Sequence, residues 1–337
     1  VADQRRLGEL GEDDLIAAIV SRYRQPAGDA PSGATDAVRI GPGDDAAVLD
    51  VRGPVVVSTD TVVEGYDFRR EWSAAQDVGV KVAAQNLADV AAMGARPLAL
   101  VVSVAVPSDL PADWATGLAD GLEDECCRAG AQVVGGDVSE AGEIVITGTA
   151  IGVLEGPAVR RDGARPGDVV AVAGRLGPSA AGLALLMAAG PAVEPQDAVA
   201  GVSDLLAAHR APRPPYPAGP EAARAGAHAL IDTSDGLLRD AARLAMASGV
   251  RIDLDPAALA PDDGLAGAAA LLGSPEAALT WVLTGGEDHA LLATFSPGTA
   301  LPPSFRAVGR VTAGAAQVLF GGRPWPGSPG WTHFHQG

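Results

Sequence analysis

Short apolar runs alternate with longer amphipathic ones along nearly the whole chain, which signals an α/β or α+β architecture. In the first half the pattern predicts strands at Ala37–Ile40, Ala46–Asp50, Val55–Thr59, Leu98–Val106, Gln132–Val134 and Glu143–Val153. Apolar positions at helical spacing predict helices near Glu12–Arg24, Ser73–Met93 and Ala112–Arg128. The Ser73–Gln76 spacing fits a capping box opening the second of these. A stretch rich in Gly, Pro and Arg, Glu155–Asp168, then marks a domain boundary, giving domains over 1–155 and 156–337. Beyond it, strands are predicted at Asp168–Ala173, Ala229–Asp232, Arg251–Leu254, Trp281–Leu283, Ala290–Phe295 and Ala307–Val311. Helices are predicted near Ser179–Ala189, Ser203–His209, Leu237–Ala247 and Asp263–Leu272. The proline-dense segment HRAPRPPYPAGP reads as a semi-rigid loop, and the tail after Gly321 as a loop carrying Trp325, Trp331 and Phe334.

A length of 337 residues suits two such domains, and 47% hydrophobic residues can fill their cores. The 42 acidic and 24 basic residues leave a formal charge of −18, which argues against nucleic acid or an anionic membrane as the main partner. Lys81 is the one lysine, and a surface position is expected for it. Cys126 and Cys127 are adjacent on a predicted helix, so they do not pair with each other; with no metal-type spacing, a reducing cytoplasm is the expectation. The uncharged run Leu176–Val193 is broken by Gly177-Pro178 and Gly190-Pro191 and is too short to span a bilayer.

The candidate chemistry lies where apolar runs meet carboxylates. Asp44 and Asp45 follow Gly43, Ser58-Thr59-Asp60 follows Val55-Val56-Val57, and Asp137 follows Gly135-Gly136. Asp232 and Asp235 flank Ser234, Glu287 and Asp288 follow Gly285-Gly286, and Asn86 and Asp89 are spaced to share a helix face. Any one of these can be ordinary turn or cap chemistry, and Ser234-Asp235-Gly236 in particular can be only the N-cap of the next helix. Repeated at strand ends along one sheet edge, however, such carboxylates repel unless cations neutralise them. Hard divalent ions such as Mg²⁺ suit oxygen donors, and they let an acidic protein hold polyphosphate without a P-loop, which is absent here.

The ordered set GDDAAV (Gly43–Val48), STDTVVEG (Ser58–Gly65), NLADVAAMGARP (Asn86–Pro97), GGD (Gly135–Asp137), DTSDGL (Asp232–Leu237) and GGED (Gly285–Asp288) resembles the thiamine-monophosphate kinase family. That family shares a superfamily with aminoimidazole ribonucleotide synthetase and selenophosphate synthetase. The resemblance implies a two-domain α/β (α+β) fold whose N-terminal domains pair in a homodimer. It implies transfer of the ATP γ-phosphoryl group to thiamine monophosphate with several Mg²⁺. By position it implies Asp45, Ser58, Thr59, Asp60, Asp89, Asp137, Asp232 and Asp235 as metal ligands, with Asp60, Asp137 and Asp235 catalytic. It implies Gly136, Asp137, Arg161 and Ser234 at the nucleotide, and Glu287 and Trp331 at the thiamine moiety. Trp331 can stack on a cationic thiazolium, although an isolated tail aromatic is more often packing.

Two departures from the family pattern fall on the substrate side. Gly65-Tyr66-Asp67-Phe68 stands where the family often has G-x-H-F, and Gly286-Glu287-Asp288-His289-Ala290 where it often has GEDYE. Asp67 is expected to bind local backbone or a nearby arginine. The alternatives are another ATP-using enzyme of the superfamily and a non-catalytic nucleotide-binding regulator. No reactive Cys stands near either end, as selenophosphate synthetase or a hydrogenase-maturation relative would require.

Overall fold

The structure, a computed structural model, describes residues 5–23, 37–189 and 201–332. Arg24 and Phe334 lie outside the described residues. The chain divides into two compact units: Val1–Val90 with Ala95–Glu155, and Ala91–Gly94 with Gly156–Gly337.

The first unit opens with helix α1 (Glu12–Val20) and an antiparallel pair, β1 (Val38–Ile40) with β2 (Val48–Leu49). Its main sheet comprises β3 (Val55–Val63), β4 (Arg96–Val106), β5 (Gln132–Glu140) and β6 (Val145–Val153), in the order β3–β6–β4–β5. Only β4 and β5 run parallel, joined through helix α3 (Ala112–Ala129). Helix α2 (Ala75–Ala92) buries apolar side chains on most of its circumference, among them Val78, Val82, Leu87 and Val90. Its N-terminus is tied by Asp77, whose carboxylate accepts from the Ala74 amide at 3.0 Å. Gln76, expected in a capping box, instead donates to Asp124.

The second unit has a six-stranded sheet in the order β12–β9–β11–β7–β10–β8. These strands are β7 (Val169–Ala173), β8 (Ala229–Thr233), β9 (Arg251–Leu254), β10 (Ala290–Phe295), β11 (Phe305–Thr312) and β12 (Gln317–Phe320). All neighbours are antiparallel except β12 and β9. Strands β7 and β10 and the edge strand β8 are buried on both faces, as strands covered on both sides must be. The helices are α4 (Pro178–Ala189), α5 (Val202–Arg210), α6 (Ala218–Arg224), α7 (Leu237–Ser248), α8 (Asp263–Leu271) and α9 (Ala277–Thr284).

The two mixed sheets with their helices form the α/β class that the pattern predicts. Four details differ. Trp281–Leu283 is not a strand but lies inside α9; its apolar run has no clear period, so a buried helix and a buried strand look alike. The proline-dense loop gives way to helix α6, and Gln317–Phe320, for which no strand is expected, forms β12. Both β3 and β5 continue past their apolar starts, so Ser58–Asp60 and Asp137 stand within strands and not at their ends. In each case the strand has one open face, and polar residues occupy it without ending the ladder. Mostly antiparallel sheets also have no single edge where strand ends gather, which removes that part of the sequence argument.

Candidate functional site

In the first unit the site grows from β3 and α2. Strand alternation turns Val56, Ser58, Asp60 and Val62 toward α2, and Val55, Val57, Thr59 and Thr61 to the open face. β3 is an edge strand, and the Asp60 amide points outward, where Asn86 Oδ1 accepts it at 3.0 Å. Asn86 is fully buried and donates its Nδ2 to the Val82 carbonyl at 2.9 Å, so its amide cannot turn. One helical turn on, Asp89 Oδ2 accepts from Ser58 Oγ at 2.6 Å. The helical spacing of Asn86 and Asp89 thus matches the strand spacing of Asp60 and Ser58.

Three other expected donors stand elsewhere in this unit. Thr59 lies on the open face, where its hydroxyl donates to the Gly148 carbonyl at 2.7 Å and meets Thr149 at 3.2 Å. Asp137 pairs in register with Ser103, which pairs with Thr147 and so with Thr61; all four share that open face. Ser139 Oγ donates to Asp137 at 2.8 Å. Gly136 needs to be glycine, because a Cβ there would stand 2.0 Å from the Val102 carbonyl. Asp45 is exposed on a turn where its amide donates to Asp44 at 2.8 Å.

The departure at Asp67 resolves locally. Its Oδ2 accepts from the Val63 amide at 2.8 Å, the backbone role expected of it. Lys81 is not on the surface: it is 1% exposed, and its ammonium donates to the Asp67 carbonyl at 3.3 Å. The helix carrying it is buried nearly all round, and the ammonium meets this loop at the Asp67 carbonyl.

In the second unit the site is the turn from β8 into α7. Gly236 is the N-cap of α7, and no side chain caps it, so Ser234 and Asp235 are not there as helix caps. Three consecutive carbonyls of this turn accept amides from two other segments. His289 donates to Thr233 at 3.2 Å, Glu287 to Ser234 at 2.8 Å, and Trp331 to Asp235 at 2.9 Å. Those bonds tie the backbone of Glu287, His289 and Trp331 to the turn that carries Ser234 and Asp235. Arg161 stands apart: its side chain is exposed, and its carbonyl accepts from Ser248 Oγ, at the end of α7 remote from Asp235.

The segment Glu287-Asp288-His289 has left-handed backbone at Glu287 (φ 63°) and His289 (φ 50°), a strained course for non-glycine residues. Its middle residue explains how that course is held. Asp288 accepts from the Gly177 amide at 2.5 Å and the Ser179 amide at 2.9 Å, capping α4. Burial pushes the Asp288 carboxyl up to about 7, against the pull of these amides. Glu287 and His289 then diverge, with Glu287 Oε2 3.5 Å from His209 Nδ1 and His289 Nδ1 3.4 Å from Asp232 Oδ2.

Asp235 has a brace that the sequence reading missed. Asp240, wholly buried, accepts from the Asp235 amide at 3.0 Å and from Arg243 Nη1 at 2.5 Å. Arg243 Nη2 donates at 2.5 Å to Asp235 Oδ2, which also lies 3.5 Å from Arg239 Nε. Burial, with Asp232 nearby, pushes the Asp240 carboxyl up to about 7, while the Asp235 amide and Arg243 pull it down. The available signal was periodicity: residue 240 falls in the apolar stripe of Leu237, Ala241 and Leu244, where a carboxylate needs a reason.

Among the described residues, no three His, Cys, Asp or Glu side chains gather as a ready-made metal cage. Paired oxygen donors are nevertheless what Mg²⁺ uses, with waters and substrate phosphates completing its shell. Ser58 with Asp89, and the Asp232–Asp235 turn, fit that chemistry; none of them offers the thiolates of a structural zinc site.

The chain is 46% identical over 331 residues to thiamine-monophosphate kinase of Mycobacterium tuberculosis, covering 97% of this chain and 93% of that protein. The chain belongs to the thiamine-monophosphate kinase family. Residues 43–154 match the model of the AIR synthase related protein, N-terminal domain. Thiamine-monophosphate kinase from Stenotrophomonas maltophilia K279a superposes with a TM-score of 0.76 at 31% identity, over 92% of this chain and 95% of that one. AaThiL complexed with AMPPCP and TMP also gives 0.76, at 29% identity over 98% and 99%. Family membership accounts for the order of the motifs; the brace on Asp235 and the contacts of the GGEDH segment are read from this chain itself.

Proposed function

We propose that the protein transfers the γ-phosphoryl group of ATP to thiamine monophosphate, giving thiamine diphosphate and ADP, with several Mg²⁺ ions as cofactors. The observation that carries this reading is the set of three amides from Glu287, His289 and Trp331 on the carbonyls of Thr233, Ser234 and Asp235. It ties the residues assigned to the acceptor to the turn assigned to metal and nucleotide, so both substrates would be held by one rigid turn. The identity to the mycobacterial kinase over 97% of the chain supports the same acceptor.

Asp232 and Asp235 in the second unit, and Ser58, Asp60 and Asp89 in the first, are the donors we assign to Mg²⁺. Asp45, Thr59 and Asp137 are assigned on the family pattern alone. Bound Mg²⁺ would offset the charge of the phosphoryl oxygens and link them to these carboxylates. Gly136, Arg161 and Ser234 are assigned to the nucleotide. Glu287 would supply countercharge to the thiazolium and Trp331, which is 56% exposed, a face for it to stack on.

Transfer is direct and in line. Among the described residues, the one grouping that suggests a nucleophile is Ser179, His209 and Glu287. There the hydroxyl, at 3.3 Å, and the carboxylate, at 3.5 Å, both approach the same nitrogen, Nδ1. A proton relay needs two different ring nitrogens. Catalysis then rests on positioning and charge.

The same reading makes the protein a cytoplasmic homodimer. The open face of β3, where Val57 is 63% exposed beside a hydroxyl row, is the surface we assign to pairing. No helix among the described residues is long and apolar enough to cross a membrane, and neither cysteine is in a disulfide.

An acceptor panel tests the reading. Given Mg-ATP and a series of phosphorylated acceptors, the protein should form ADP only with thiamine monophosphate. Turnover of a different acceptor would move it to another branch of the superfamily, and nucleotide binding without turnover would make it a regulator.

A further inference from the structure

Both guanidinium groups near Asp235 lie on the same carboxylate oxygen. Arg243 Nη2 donates to Oδ2 at 2.5 Å, and Arg239 Nε is 3.5 Å from that atom. The arrangement is held from behind. Arg243 Nη1 is fixed by Asp240 Oδ1, and Asp240 Oδ2 accepts the amide of Asp235 itself. Asp235, Asp240 and Arg243 therefore form a closed ring through one backbone amide, two carboxylates and one planar guanidinium. Asp240 is buried at 0% exposure, so the ring has a rigid back wall, and Arg243 cannot swing off Oδ2 without drawing its Nη1 from Asp240 Oδ1.

A carboxylate can give a cation one oxygen or both. Chelation through both requires the cation to sit symmetrically in front of Oδ1 and Oδ2. With one positive guanidinium bonded to Oδ2 and a second behind it, that position is disfavoured by charge and by the loss of the Arg243 bond. Oδ1 carries neither. The distinction separates two common divalent ions: Ca²⁺ takes six to eight oxygens in flexible geometry and readily chelates carboxylates. Mg²⁺ requires a near-ideal octahedron and takes one oxygen from each carboxylate.

We propose that Arg243, supported by Asp240 and Arg239, confines Asp235 to coordination through a single oxygen and so makes this site select Mg²⁺ over Ca²⁺. The inference rests on the reading that Asp235 is a metal ligand. Arg243 is then a positioning residue, acting through Asp235 without touching substrate.

The test uses the full chain with AMPPCP, titrated calorimetrically with Mg²⁺ and separately with Ca²⁺. In the wild-type protein, Mg²⁺ should bind more tightly than Ca²⁺. Arg243→Met should narrow the ratio of the two affinities about tenfold, chiefly by tightening Ca²⁺. Arg243→Lys, which keeps a cation beside Oδ2, should restore most of the preference, and Arg239→Met should shift it less than Arg243→Met. A folded Arg243→Met with an unchanged ratio would overturn the proposal, as would an equal loss of both ions. Should Arg243→Met fail to fold, Arg243→Gln carries the same expectation, and an unchanged ratio in it is equally decisive. Asp235→Asn separates the two levels: if it binds both ions as the wild type does, Asp235 is not a ligand and the underlying reading fails first.

Discussion

The backbone amide of Trp331 donates to the backbone carbonyl of Asp235 at 2.9 Å. The residue assigned to the thiazolium is thus anchored on the residue assigned to metal. The approach is possible because Gly330 has φ 153° and no side chain; a Cβ there would meet the Asp235 carbonyl at 2.2 Å. Gly330→Ala should therefore lift the tail from the turn. The expected result is a rise of about tenfold in KM for thiamine monophosphate, worth about 1.4 kcal/mol if KM tracks affinity, with KM for ATP little changed. Equal effects on both substrates would place Trp331 outside the acceptor site.

Asp67 should matter to stability and not to the acceptor. Its carboxylate serves the Val63 amide, so Asp67→Ala should cost about 1–2 kcal/mol in denaturant unfolding, the range for losing such a partner. KM for thiamine monophosphate should stay within twofold of wild type. A tenfold rise would put Asp67 in contact with substrate.

Asp60→Asn and Asp235→Asn should each lower turnover by orders of magnitude in folded protein. Clustered carboxylates suggest that removing one relieves repulsion, but at Asp235 the structure gives the opposite sign. Its charge is already paired with Arg243, so Asp235→Asn leaves that guanidinium under-compensated and should lower the melting temperature in EDTA. A melting temperature raised by Asp235→Asn would mean that the Arg243 pair is not formed in solution.

Asp288 gives a pH dependence with a defined sign. Its folded carboxyl titrates at about 7, raised from an ordinary value of 3.8, so between those limits the folded state binds more protons than the unfolded chain. This group's contribution to stability therefore falls as pH rises from about 4 to about 7. Asp288→Asn, which cannot ionise, should flatten that part of the stability profile relative to wild type. An unchanged slope would show that Asp288 stays ionised in the fold.

Strand and helix types were legible wherever an apolar period was long, as along α2, α3 and α7. They were not legible at Trp281–Leu283, an apolar run of three residues that is too short to show a period. The carboxylate motifs were visible in the sequence, but whether Asp235 serves as the N-cap of α7 was not, until the cap is seen to be Gly236. Asp240 and Lys81 carried a readable signal, each being a charge inside a buried helical stripe. Taken singly, such residues pass for surface charges, because a sequence does not show which face is covered. Asp288 turns to the start of α4 and Glu287 to His209 through a backbone course that the letters GGEDH do not encode.

The central claim is phosphoryl transfer to thiamine monophosphate, and one labelling measurement addresses it most directly. The full chain is incubated with Mg²⁺, ATP labelled in its γ-phosphoryl group, and thiamine monophosphate, and the products are separated. The account predicts one label in thiamine diphosphate for each ADP formed, with none left on the protein. Label released as inorganic phosphate, label held covalently by the protein, or no thiamine diphosphate at all would contradict it.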